Sequence, residues 1–115
     1  MMKKVFAAAF NGIFQSLRTE GNFKIQLVAV LAVAIMGWRF SISKTEWLVI
    51  ILCCLAVLAM ELMNTAVEKL CDMISKDYHP VVKVVKDTAA GAVLIAAIGS
   101  AVIAAIIFIP LVFHQ

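Results

Sequence analysis

A stripe of polar and acidic side chains follows a long apolar run in the middle of the chain. Its members recur at helical spacing: Glu61, Asn64, Thr65, Glu68 and Asp72. At about 100° per residue, all of them lie within about 60° of the direction of Glu61. An ordinary solvated helix face accounts for Asp72, but it accounts poorly for Glu61, which directly follows the apolar residues 47–60. Carboxylates at membrane depth usually belong to ion, proton or substrate sites, so we expect Glu61 and Glu68 to be functional.

Three other charged residues stand where apolar runs begin. Glu20 precedes one run, and Lys86 and Asp87 precede another. Alone, Glu20 suits the first turn of a helix and Lys86 suits an ion pair; Lys86 is equally suited to grip a phosphate. Glu20, Glu61 and Glu68 together would suffice for Mg²⁺ carried by a nucleotide, which needs one or two carboxylates besides phosphate oxygens. Glycine-rich phosphate loops and soluble kinase motifs are absent, so carboxylates, metal and lysine would have to hold any ATP.

Composition indicates a membrane protein. Of 115 residues, 64% are hydrophobic and 15% charged, whereas soluble domains are about 45–50% apolar and about 25% charged. The net charge of +3 is spread between apolar runs, so a nucleic-acid partner is not expected. Cys53, Cys54 and Cys71 are read as small buried hydrophobes rather than a disulfide or zinc framework.

The hydrophobic pattern predicts an all-α membrane protein, in which an N-terminal interfacial amphipathic helix precedes three transmembrane helices. Residues 2–19 place large aromatic residues on one face and polar or basic residues on the other, as interfacial helices do. Spans are predicted at about 22–40, 44–66 and 84–113. The second span should begin with a capping box, Ser43 to Glu46, and continue as a helix to about residue 74. Pro80 suits the first turn of the last helix, and Pro110 is expected to kink or end it.

Charge asymmetry predicts the topology. Eight of the ten Lys and Arg residues fall on one side of the predicted spans, leaving Arg39 and Lys44 on the other. The positive-inside rule then places the N-terminus and residues 64–86 in the cytoplasm. The last helix carries small residues every four positions, which suit close helix packing in lipid. They are Ala92, Ala96, Ser100 and Ala104, with Ala97, Ala101 and Ala105 as a second row. Residues 1–115 are expected to form one domain.

The motifs resemble those of the prokaryotic diacylglycerol kinase family, which includes undecaprenol kinases. The resemblance rests on Glu-Leu-Met-Asn-Thr-Ala-Val-Glu at 61–68, Lys-Asp-Thr-Ala-Ala-Gly-Ala at 86–92 and Arg-Thr-Glu-Gly-Asn at 18–22. It covers nearly the whole chain. It implies a homotrimer with shared active sites in the bacterial inner membrane, using MgATP to phosphorylate a lipid alcohol. The turn at 44–47 and the 86–92 motif are most similar to the undecaprenol kinase branch, while diacylglycerol stays open as the substrate.

The resemblance also implies roles for individual residues. Glu61 corresponds to the general base and Asn64 to a residue beside the reacting groups. Glu20 and Glu68 correspond to carboxylates that bind Mg²⁺, and Ala90 corresponds to a lipid-site position. The implied nucleotide contacts are Glu20, Glu68, Asp77, Tyr78, His79, Lys86 and Asp87, of which Lys86 is also counted as catalytic. In the interfacial helix, Ala8 stands where some family members carry a tyrosine.

A different class of function remains as the alternative. A noncatalytic membrane protein, or an inactive relative of the kinases, would also carry carboxylates near the membrane boundary. It would not require Glu20, Asn64, Glu68 and Lys86 to act together. Phosphorylation of a lipid by the purified protein distinguishes the two.

Overall fold

Four α-helices make up nearly all of the computed structural model, which describes residues 1–114. In chain order they are α1 (Met2–Thr19), α2 (Gly21–Arg39), α3 (Lys44–Ile74) and α4 (Pro80–Phe113). The helices α2, α3 and α4 are long and apolar enough to cross a membrane. The prediction of an all-helical, multi-pass membrane protein is therefore confirmed, and the helix bounds agree with the predicted ones within a few residues.

The interfacial helix α1 leaves its aromatic face uncovered. Phe6, Phe10 and Phe14 are each between 57% and 62% exposed, as expected for side chains that enter the lipid interface. Ser16 is the buried residue of this helix. It lines a cleft with Gly12 of α1 and with residues of α3, so α1 packs on α3 through a narrow strip of small residues. Glu20 adopts an extended conformation (φ −106°, ψ 111°) that separates α1 from α2.

The turn between α2 and α3 is held by the predicted capping box. The backbone amide of Glu46 donates to Ser43 Oγ at 3.1 Å, and the amide of Ser43 donates to Glu46 Oε1 at 2.9 Å. Gly37 lets the two helices approach closely, because a Cβ atom there would lie 2.7 Å from Cη2 of Trp47. Glu46 thus has the structural role predicted for it.

The helices α3 and α4 form an antiparallel pair. At the end near the α2–α3 turn, Phe108 packs with Ile42 and Ile50 in a small buried cluster. Farther along, Ser100 Oγ donates to the carbonyl oxygen of Cys53 at 3.4 Å. Pro110 does not end α4, which continues to Phe113. Because α3 and α4 are antiparallel, the end of α3 that carries Glu68 lies beside the start of α4, which carries Lys86.

Candidate active site

Glu61 is a buried carboxylate on the long helix α3, directly after its apolar stretch. Its side chain is only 6% exposed. It lies seventeen residues after the first residue of α3, Lys44, or about 26 Å along the helix axis at 1.5 Å per residue. Since the hydrocarbon core is about 30 Å thick, Glu61 comes close to the boundary opposite the capping box. A carboxylate buried at that depth is costly unless it is used.

A cavity of about 300 Å³ opens beside Glu61. Asn64 of α3, Asn22 and Gln26 of α2, and Ala90 of α4 share its wall with Glu61. Three residues selected from the sequence, Glu61, Asn64 and Ala90, are thus brought to one cavity. The rest of the wall is largely apolar. The cavity can therefore accept a ligand that has a polar head and a hydrocarbon tail.

Asn64 connects the buried carboxylate to a more exposed one. Its Nδ2 donates to Glu68 Oε1 at 3.1 Å. Its Oδ1 is buried, and no hydrogen-bond partner for it is found among the described residues. A buried carbonyl oxygen without a donor is unfavourable. A bound proton donor or a cation would satisfy it, so this atom suits the edge of a ligand site.

The carboxylates are close but do not form a closed metal cage. Glu20 and Glu68 both lie near enough to Glu61 for their charges to repel it. Within residues 1–114, no group of three or more His, Cys, Asp or Glu side chains has the geometry to hold a metal alone. Mg²⁺ that arrives with phosphate oxygens needs only one or two carboxylates. Hard oxygen donors from Glu20 and Glu68, with the unpaired Oδ1 of Asn64, fit that requirement.

The candidate phosphate-binding lysine, Lys86, lies where the end of α3 meets the start of α4. Lys86 Nζ lies 2.7 Å from Asp72 Oδ1, and it is also close enough to Glu68 for electrostatic attraction. Asp87 pairs with Lys83 on its own helix at 2.5 Å. The structure therefore brings Lys86 near the Glu61–Glu68 stripe, whereas Asp87 is engaged by its own helical neighbour.

The other predicted nucleotide contacts, Asp77, Tyr78 and His79, lie in the turn between α3 and α4. Tyr78 is 79% exposed, and none of the three lines the cavity beside Glu61. His79 has a structural role that the sequence analysis missed. Its Nδ1 accepts from the amides of Val81 (3.2 Å) and Val82 (3.4 Å), capping α4. Nε2 of this imidazole remains available to a ligand as a donor.

Two further polar residues of the site were not selected from the sequence. Gln26 lies beside the Glu61 carboxylate and lines the same cavity. It is the last polar residue before the apolar run of α2. A polar side chain at such a position often belongs to a functional site, so the sequence did offer a sign of it. Asp72 was read as solvated, yet it pairs with Lys86 fourteen residues away. Only the packing of α3 on α4 reveals that contact.

Ala8, which stands where some family members have a tyrosine, lies in the cleft between α1 and α3. The cleft has a volume of about 300 Å³, and Gln15, Thr65 and Lys69 contribute polar groups to its wall. The small side chain at position 8 therefore leaves open space next to α3.

Three long apolar helices, one of which carries a buried carboxylate beside a cavity, define a small multi-pass membrane protein. Comparison with known proteins narrows this class. The family model for prokaryotic diacylglycerol kinase matches residues 7–108. An undecaprenol kinase of Bacillus subtilis is 41% identical over 107 residues, which are 93% of this chain and 87% of the relative.

Two diacylglycerol kinases are also similar. That of Synechocystis is 32% identical over 91% of this chain and 61% of its own length. That of Escherichia coli K12 is 27% identical over 83% of this chain and 78% of its own length. The chain belongs to the prokaryotic diacylglycerol kinase family, and it is accordingly an enzyme of the lipid kinase class.

Proposed function

We propose that this chain transfers the γ-phosphate of ATP to the hydroxyl group of a membrane lipid alcohol, either undecaprenol or diacylglycerol. The observation that carries the proposal is the position of Glu61. A buried carboxylate near the hydrocarbon boundary, beside a cavity of about 300 Å³ with a largely apolar wall, suits the removal of a proton from a hydroxyl whose tail stays in lipid. In this reaction the lipid oxygen forms a bond to phosphorus as the bond to ADP breaks, and Glu61 takes the hydroxyl proton.

The remaining groups supply position and charge, which phosphoryl transfer requires more than covalent chemistry. Glu20 and Glu68 would hold Mg²⁺, which neutralises phosphate charge when bound. Asn64, hydrogen-bonded to Glu68, would orient the reacting groups. Lys86 would bind a phosphate oxygen. The exposed turn of Asp77, Tyr78 and His79, with Asp87, would contact the rest of the nucleotide.

Undecaprenol is the substrate we propose first. The similarity to an undecaprenol kinase, 41% identity over 93% of this chain, is higher than that to the diacylglycerol kinases compared above. The motifs at 44–47 and 86–92 support the same branch. Both candidates are lipid alcohols, and the apolar cavity wall suits either tail.

The proposed setting is the bacterial inner membrane, with the N-terminus in the cytoplasm. The distribution of Lys and Arg supports this topology, and it presents the Glu68 end of α3 to cytoplasmic ATP. A homotrimer with shared active sites is proposed from the family resemblance. The rows of small residues on α4 are compatible with close packing between subunits.

The test is phosphorylation by detergent-purified protein supplied with Mg²⁺, ATP labelled at the γ-phosphate, and undecaprenol or diacylglycerol in parallel. Label in either lipid is the expected result, and the ratio of rates selects the substrate. Replacing Glu61 by Gln should lower kcat by about 10²–10⁴-fold, the usual contribution of a general base. Nucleotide binding should persist because Glu61 is not among the proposed metal ligands.

Glu46→Gln is the matched control. It makes the same change on the same helix, and Gln also completes a capping box, so activity should stay near that of the wild type. Undiminished phosphorylation by Glu61→Gln would show that Glu61 is not the base. Folded wild-type protein that labels neither lipid would instead favour the noncatalytic alternative.

A further inference from the structure

Asp72 and Lys86 form an ion pair that joins α3 to α4 across the intervening turn. Lys86 Nζ and Asp72 Oδ1 are 2.7 Å apart, and the two side chains are 39% and 52% exposed. Ion pairs this exposed contribute little to folding stability. The pair is therefore poorly explained as a stabilising contact alone; what it does is fix the position of the Lys86 ammonium.

The contact restricts a side chain that is otherwise mobile. A lysine ammonium sits on a flexible four-carbon stem and has three N–H donors. Asp72 accepts from one donor at 2.7 Å, which leaves two donors for phosphate oxygens. Glu68 lies near enough to attract the same ammonium. Lys86 is thus held beside the carboxylate stripe before any ligand arrives.

The same ion pair closes the base of the turn that carries Asp77, Tyr78 and His79. Within the turn, Ser75 Oγ donates to the carbonyl oxygen of Asp77 at 3.0 Å, and His79 caps the start of α4. Asp72 and Lys86 therefore bracket the segment from both sides. A change in their contact affects both the ammonium and the turn.

We propose that Asp72 is a positioning residue for the nucleotide: by pairing with Lys86 it holds the ammonium and the 75–79 turn in the arrangement that receives the phosphates of MgATP. Asp72 does not touch the reacting atoms. This inference rests on the proposed function for the identity of the ligand, but it concerns a residue to which neither the sequence motifs nor the family resemblance gave a role.

The experiment measures binding of the Mg²⁺ complex of the non-hydrolysable ATP analogue in which NH bridges the β- and γ-phosphates. For Asp72→Ala we expect the Kd to rise about tenfold, the order of effect that follows from misplacing a binding group. Asp72→Glu keeps the charge and should restore binding to within about threefold of the wild type. The KM for the lipid should be unchanged in both variants, because Asp72 does not line the cavity beside Glu61.

Lys44→Ala is the control, since Lys44 is an exposed charge at the opposite end of α3, and this variant is expected to bind the analogue as the wild type does. Asp72→Ala with a wild-type Kd would overturn the inference. A parallel rise in the nucleotide Kd and the lipid KM, without rescue by Asp72→Glu, would also overturn it, because that pattern indicates a general structural defect. Wild-type protein that binds the analogue but labels no lipid would reject the proposed kinase reaction alone, and the Asp72 comparison would still decide this inference.

Discussion

Replacing Gly37 by Ala should destabilise the α2–α3 hairpin by forcing Trp47 out of its contact. The new Cβ atom would lie 2.7 Å and 2.9 Å from two carbons of the Trp47 ring, and 3.1 Å from Cδ1 of Ile42. Carbon atoms in favourable contact are about 3.5–4.0 Å apart, so the ring must retreat by about 1 Å. Overpacking of this kind costs about 1–3 kcal/mol. The higher helix propensity of Ala offsets at most about 1 kcal/mol, so with the full offset the net loss is up to about 2 kcal/mol.

The assay is the free energy of unfolding in detergent micelles, measured by titration with a denaturing detergent and followed by circular dichroism. Gly99→Ala is the matched control, because Gly99 is also helical and, apart from its chain neighbours and its own helix backbone, no atom lies within 4 Å of the added Cβ. That variant should be as stable as the wild type or slightly more stable. Lipid phosphorylation per folded molecule should survive in Gly37→Ala, since Gly37 is far along α2 from the cavity-lining Asn22 and Gln26. Equal stability of the two variants would refute the close approach of Gly37 to Trp47.

Two further predictions concern the metal and the topology. Glu20→Ala and Glu68→Ala should each weaken binding of MgATP by about tenfold or more, and variants that bind MgATP as the wild type does would reject these residues as ligands. A chelator should abolish phosphorylation by the wild type. Reporter fusions after residues 19 and 76 should both report a cytoplasmic location, and a fusion at residue 42 should report the opposite side of the membrane. The reverse pattern would overturn the proposed orientation.

Most of the fold was predictable because lipid imposes simple rules on a sequence. A span needs an uninterrupted apolar run, and the runs ending at Trp38 and Met60 indicated α2 and the membrane part of α3. The Ser43–Glu46 pair is a local motif, so its capping box was predictable from four residues and is present. Pro110 was less informative, since the helix continues past it to Phe113.

The contacts of the site that lie within one helix were predictable from the sequence, and the contact between two helices was not. Glu61, Asn64 and Glu68 are related by helical spacing alone, and the hydrogen bond from Asn64 to Glu68 follows from that spacing. The pairing of Asp72 with Lys86 depends on how α3 and α4 align around a turn. Sequence periodicity contains no information about that register, so the pair was missed.

The length of α3 allows one helix to contact both a lipid substrate in the bilayer and a nucleotide in water, as the proposed function requires. Under the proposed function, the lipid cannot leave the bilayer and the nucleotide cannot enter it, so the reaction must occur where the helix crosses the boundary. At 1.5 Å per residue, Asn64 lies about 4.5 Å and Glu68 about 10 Å beyond Glu61 along the axis. An unbroken helix of 31 residues, Lys44–Ile74, is longer than the hydrocarbon core and holds these intervals rigidly. A break in α3 between Glu61 and Glu68 would uncouple the proton acceptor from the groups that bind phosphate, even if every side chain remained.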